Sequence, residues 1–109
     1  MKVEEAKLKL DDVVLRMSVV ELENAAVIFI SEGSEKLGTV AFSLPRMGVE
    51  GTGVSSVLIG GKYHLSSRAI AERAAARFKK MTLVSVHTSL PESTLLKASI
   101  QLLDELKPL

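Results

Sequence analysis

Polar and apolar positions alternate with a two-residue period through most of the first half of the chain, and change to helical spacing twice in the second half. Over residues 37–44, Val40, Phe42 and Leu44 alternate with Thr39, Ala41 and Ser43, the pattern of a half-buried strand. A further strand is predicted over 54–59. Between the two, residues 45–53 hold three glycines and one proline in nine positions, which can neither continue a ladder nor start a helix cheaply. That loop still carries Arg46, Met47 and Val49. A merely solvating loop has little use for an exposed Met and Val, so these three are candidate partner-binding residues.

Upstream, residues 3–10 alternate weakly among Lys2, Lys7 and Lys9 and read as an edge strand, since lysines on an edge discourage edge-to-edge pairing. Residues 13–22 are rich in β-branched side chains and read as a second strand. Residues 25–31, AAVIFIS, are apolar almost without interruption, as in a strand covered on both faces. The turn-like stretch 32–36 is expected to close a hairpin into the strand at 37–44. Downstream, a helix is expected over 65–80, with Ser66 as N-cap and Leu65, Ile70, Ala74, Phe78 and Met81 on its apolar side. A strand at 82–87 follows. A last helix should open on a capping box at Ser89 and Glu92, with Pro91 in its first turn. The resulting order, βββββαβα, predicts an α+β fold: an antiparallel sheet of about six strands with two helices.

Two helices can cover only one face of such a sheet. The apolar run at 25–31 therefore needs a second cover, and a second copy of the chain is the simplest. The sequence predicts a homodimer through the sheet, with Val27, Ile28, Phe29 and Val40 at the interface. Val14 and Val20 are expected to share that face.

At 109 residues the chain suits one domain, residues 1–109. Its 47% hydrophobic and 25% charged residues are those of a globular protein. A net charge of +1 and 4% aromatic content argue against a nucleic-acid footprint or stacking platform. Cysteine is absent, which excludes disulfides, thiolate metal sites and thiol nucleophiles. Residues 1–12 are charged and lack the apolar stretch of a signal peptide, and no apolar run is long enough to span a bilayer. A soluble cytoplasmic protein is expected, with no membrane or nucleic-acid partner.

Catalytic chemistry has few candidates. His64 and His87 have Ser66 and Ser89 nearby in sequence, but serines beside helix starts are usually caps. Two histidines with no ligand-like spacing predict no metal site. The glycine loop leads into a strand, whereas a phosphate cradle leads into a helix N-terminus. Neither cofactor nor catalytic residue is expected. Arg73, Arg77 and Lys80 recur at helical spacing as a basic stripe, which is either a solvated face or a surface for carboxylates or phosphates.

Lys36-Leu-Gly-Thr-Val40, then Ser43-Leu-Pro45, a loop, and Val57-Leu-Ile-Gly60 resemble the third member of the proteasome assembly chaperones. The C-terminal half, with Ser55-Ser56 leading a strand and an alanine- and arginine-rich helix at 71–80, is similar to the fourth member. Similarity to both suggests an archaeal relative. The resemblance implies a non-enzymatic chaperone that dimerises through its sheet and binds proteasome α-subunits during ring assembly. In that family the loop corresponding to 45–53 takes part in partner contacts. The charged N-terminal strand and the loop sequence depart from the family pattern. The rival readings are a general α+β interaction scaffold of the roadblock or profilin kind, whose folds usually open with a helix, and a small histidine-dependent enzyme.

Overall fold

A computed structural model describes residues 1–45 and 54–107. The elements are β1 (Lys2–Leu10), β2 (Val13–Glu21), β3 (Ala25–Glu32), β4 (Thr39–Leu44), β5 (Val54–Ile59), α1 (His64–Phe78), β6 (Met81–His87) and α2 (Glu92–Glu105). The fold is α+β, with the element order expected from the sequence. The six strands form one sheet in the order β1-β2-β3-β6-β4-β5. All neighbours are antiparallel except β3 and β6, which run parallel.

That order corrects one sequence expectation. Residues 32–36 do not close a hairpin, because β6 lies between β3 and β4. The most apolar strand, β3, thereby takes a central place beside β6. Two glycines permit the insertion. A Cβ on Gly38 would fall 1.9 Å from the Val86 carbonyl oxygen. Gly60 has φ +112°, and a Cβ there would meet Thr39 at 2.4 Å. The strand-start motif around Gly38 and the strand-end motif around Gly60 thus meet at one seam, where the Thr39 hydroxyl donates to the Lys62 carbonyl at 2.7 Å.

Both helices pack on one face of the sheet. α1 lies on β4, β5 and β6, and α2 lies on β1, β2 and α1. The core between them includes Leu15, Met17, Ile28, Ile30, Ile70, Val84, Leu95, Leu102 and Leu103, all fully buried. Several helix details differ from expectation. The N-cap of α1 is Tyr63, in the left-handed region, and not Ser66, which is buried within the first turn. Leu65 is exposed and Met81 belongs to β6, so neither joins the apolar side of α1. The capping box at α2 does not form. The Ser89 hydroxyl donates to Glu32, while Glu92 accepts the Ser66 backbone N–H at 3.2 Å. Among the described residues no helix is long and apolar enough to cross a membrane.

Candidate interaction face

Strand register sorts the side chains of the sheet into rows. On the helix side, one row runs Val19, Ile28, Val84, Ala41 and Val57. On the other side the neighbouring row runs Val3, Val20, Val27, Leu83, Phe42 and Ser56, from one edge of the sheet to the other. No element among the described residues covers that row. The next row on the open side holds Glu5, Ser18, Phe29, Ser85 and Val40. The one after it holds Lys7, Arg16, Ser31 and His87. The open face is therefore graded, apolar toward one end of the strands and charged toward the other.

β4 shows the asymmetry most clearly. Its small residues Thr39, Ala41 and Ser43 are buried on the helix side, where α1 packs on it. Its large apolar residues Val40, Phe42 and Leu44 point to the open side, and Leu44 remains 41% exposed. In an isolated domain the apolar phase of a strand belongs in the core. Here it is turned away from it.

The charged quarter is internally paired. Arg16 donates through Nη2 to Glu5 at 2.5 Å, lies 3.2 Å from a Glu35 carboxylate oxygen, and donates through Nη1 to the Gly33 carbonyl at 2.8 Å. The Arg16 hydrogen bond holds the Glu5 carboxyl below its ordinary range. Lys7 adds a second cation to Glu5 at 3.5 Å.

Of the residues expected at an interface, Val27, Phe29 and Val40 lie on the open side of the sheet, Val27 and Phe29 half-buried and Val40 already buried within the chain. Ile28 does not. It sits on the opposite face of the same strand and is fully buried beneath the helices. Leu83 and Phe42 complete the face; their signal was the alternation of β6 and β4. Arg46, Met47 and Val49 lie outside the described residues.

The basic stripe is largely committed within the chain. Arg77 donates from Nε to the Leu106 carbonyl at 3.2 Å and from Nη2 to the Asp104 carbonyl at 3.0 Å, satisfying the C-terminal end of α2. Lys80 pairs with the buried Glu21 at 2.7 Å and donates to the Leu22 carbonyl at 2.8 Å. Arg73 reaches Asp104 at 3.6 Å, with both side chains about half exposed. A shallow pocket of about 460 Å³ lies between Arg73, Ala76, Arg77 and Asp104. The His64 ring bonds the Gly60 carbonyl at 2.7 Å, and neither histidine ring is hydrogen-bonded to a serine among the described residues; the Ser67 hydroxyl donates to the His64 backbone carbonyl instead. No cluster of three potential metal ligands occurs among the described residues.

No family model and no curated protein matches the sequence. Among solved structures the fold is similar to a chain in the crystal structure of a novel chaperone complex for yeast 20S proteasome assembly. The TM-score is 0.67 at 15% identity, over 95% of this chain and 90% of that one. At that identity the likeness establishes a shared fold.

Proposed function

We propose that the protein is a non-enzymatic assembly chaperone of the cytoplasm, which pairs with itself through the open face of its sheet and holds proteasome α-type subunits while a ring assembles. The carrying observation is the orientation of β4 and its neighbours, which places Val20, Val27, Leu83 and Phe42, all half-buried, on a face that no helix or strand among the described residues covers. Burying such a row against a second copy contributes about 25 cal/mol per Å² of apolar surface. The fold shared with a yeast proteasome assembly chaperone supports the same reading.

With the open face used for pairing, subunit capture falls to other surfaces. Arg46, Met47 and Val49 carry a forked donor and adaptable apolar side chains, and Arg73 adds a partly exposed cation. Arg77 and Lys80 act in this reading mainly by holding α2 and β2 in place. Replacing Arg46 and Met47 together by Ser should leave folding and self-association unchanged and weaken capture of a folded α-subunit in a titration. Unchanged affinity would remove these two residues from the mechanism. A parent chain that shows neither capture nor self-association would overturn the chaperone reading itself.

A further inference from the structure

The two edges of the sheet are built differently. β1 is guarded: its nine residues include Lys2, Glu4, Glu5, Lys7 and Lys9. The segment after α2 is also tied to it, since Lys107 N–H donates to Glu4 at 3.2 Å and Lys2 Nζ donates to the Lys107 carbonyl. β5 has no such guard. Its sequence, VSSVLI, contains no charge and no proline, and among the described residues it is hydrogen-bonded on one side only, to β4. Leu58 and Ile59 are each 52% exposed. A neutral edge strand with apolar side chains offers a row of free N–H and C=O groups that only another extended backbone satisfies in register.

We propose that the outer edge of β5 is a strand-addition site for an extended, carboxylate-bearing segment of a partner protein. The charge beside the edge selects this occupant. Arg68 on α1 is exposed, and its Nε donates to the Ser55 hydroxyl at 3.2 Å, which anchors the guanidinium alongside β5. The Ser55 hydroxyl in turn donates to Glu72. No carboxylate among the described residues forms an ion pair with Arg68, so its two terminal amino groups stand as a forked donor at the seam. A second copy paired edge to edge would bring a second Arg68 to the same seam, like charge against like. An acidic strand meets both requirements: its backbone completes the ladder and its carboxylate meets the fork.

The test needs no α-subunit and so stands apart from the chaperone reading. The full chain is titrated to millimolar concentration with a blocked peptide of alternating Val and Thr carrying one central Glu, and separately with the same peptide carrying Lys. Amide shifts and amide exchange are followed along the chain by NMR. The Glu peptide should shift and protect alternate amides of β5 and leave β1 untouched. Arg68→Glu, an exposed change whose spectrum away from β5 should be unaltered, should weaken the Glu peptide about fivefold and favour the Lys peptide instead. The proposal is overturned if β5 amides respond to neither peptide, or if both peptides bind alike and Arg68→Glu changes nothing. It is overturned equally if β5 amides are already protected in the free protein and Leu58→Lys both exposes them and halves the mass, since a second copy then occupies the edge.

Discussion

The two faces of the sheet have similar apolar content and opposite fates. The helix side buries Leu15, Met17, Ile28, Ile30, Val84 and Ala41 completely. The open side presents Val20, Val27, Phe29, Leu83 and Phe42 as half-buried side chains. Hydrophobic content alone does not separate them. On β4 what separates them is residue size, and across the sheet it is the polar groups at the open margin. On its helix side β4 turns only the small residues Thr39, Ala41 and Ser43 toward α1, whose buried face is mostly Ala and Ser with Ile70 and Phe78. The bulky residues of β4 are left to the other side. The open face has a charged margin in Glu5, Lys7 and Arg16, as expected of a surface that ends in water.

Neighbouring residues of β3 give the sharpest way to break this comparison. Ile28→Ala removes packing from a fully buried site and should cost about 2–5 kcal/mol. Phe29→Ala, on the other face of the same strand, should cost no more than about 1 kcal/mol when the chain is dilute and monomeric. At high protein concentration the Phe29→Ala loss should grow, because a folded dimer is stabilised by mass action. Urea melts at two protein concentrations measure both. Equal losses for the two variants, independent of concentration, would mean that the open face is core-like in the monomer and that no second copy covers it.

Ile28 and Phe29 also show what could be read from the sequence. The run AAVIFIS is apolar at nearly every position, so its composition announces a doubly covered strand but its periodicity cannot say which residues face which side. By sequence Ile28 and Phe29 are therefore equivalent, and only the register with Val19 and Val84 separates them. Strand order was hidden for a related reason. A turn-like stretch between two strands reads as a hairpin locally, whereas the pairing of β3 with β6 depends on contacts far apart in the chain. The glycines that admit β6 did show in the sequence as short motifs, but their partners, Val86 and Thr39, did not. In α1 the basic stripe was legible as a spacing. Its use within the chain was not, because the acceptors on Arg77 are backbone carbonyls of α2.

A smaller effect concerns how the helix layer is pinned to the sheet. Glu32 ends β3 and accepts from the Ser89 N–H at 2.7 Å, from the Ser89 hydroxyl at 3.1 Å and from the Thr88 hydroxyl. Tyr63, buried at the start of α1, donates its hydroxyl to the Leu90 carbonyl at 2.7 Å. Together they fix the connection into α2. The Thr88 hydroxyl bond, followed by the Ser89 N–H, holds the Glu32 carboxyl below its ordinary range. A carboxylate lowered in the folded state contributes stability above its unfolded pKa. That stability is lost as pH falls through the lower folded value. Stability should accordingly decline as pH drops below the ordinary carboxylate range. Glu32→Gln should be less stable than the parent at pH 7, by about 1–2 kcal/mol, and should show a shallower acid limb. Parallel acid limbs for the two proteins would assign the pH dependence elsewhere.

The smallest difference expected is between two arginines one helical turn apart. Arg77 and Arg73 belong to the same stripe of α1, and both approach the end of α2. Arg77 donates to two backbone carbonyls there, groups left without intrahelical partners. Arg73 meets only the Asp104 carboxylate, at 3.6 Å and about half exposed on each side. Hydrogen bonds from a charged donor to otherwise unsatisfied carbonyls outweigh a long, solvated ion pair. Arg77→Ala should therefore cost about 1–2 kcal/mol and increase amide exchange at the end of α2. Arg73→Ala should change stability by less than about 0.5 kcal/mol. If Arg73→Ala nonetheless weakens capture of a folded α-subunit, the stripe divides by residue, Arg77 serving the fold and Arg73 the partner. If Arg77→Ala proves as silent as Arg73→Ala, then α2 is held by its buried Leu95, Leu102 and Leu103 alone, and the helix side of the sheet depends on packing without the polar clasp.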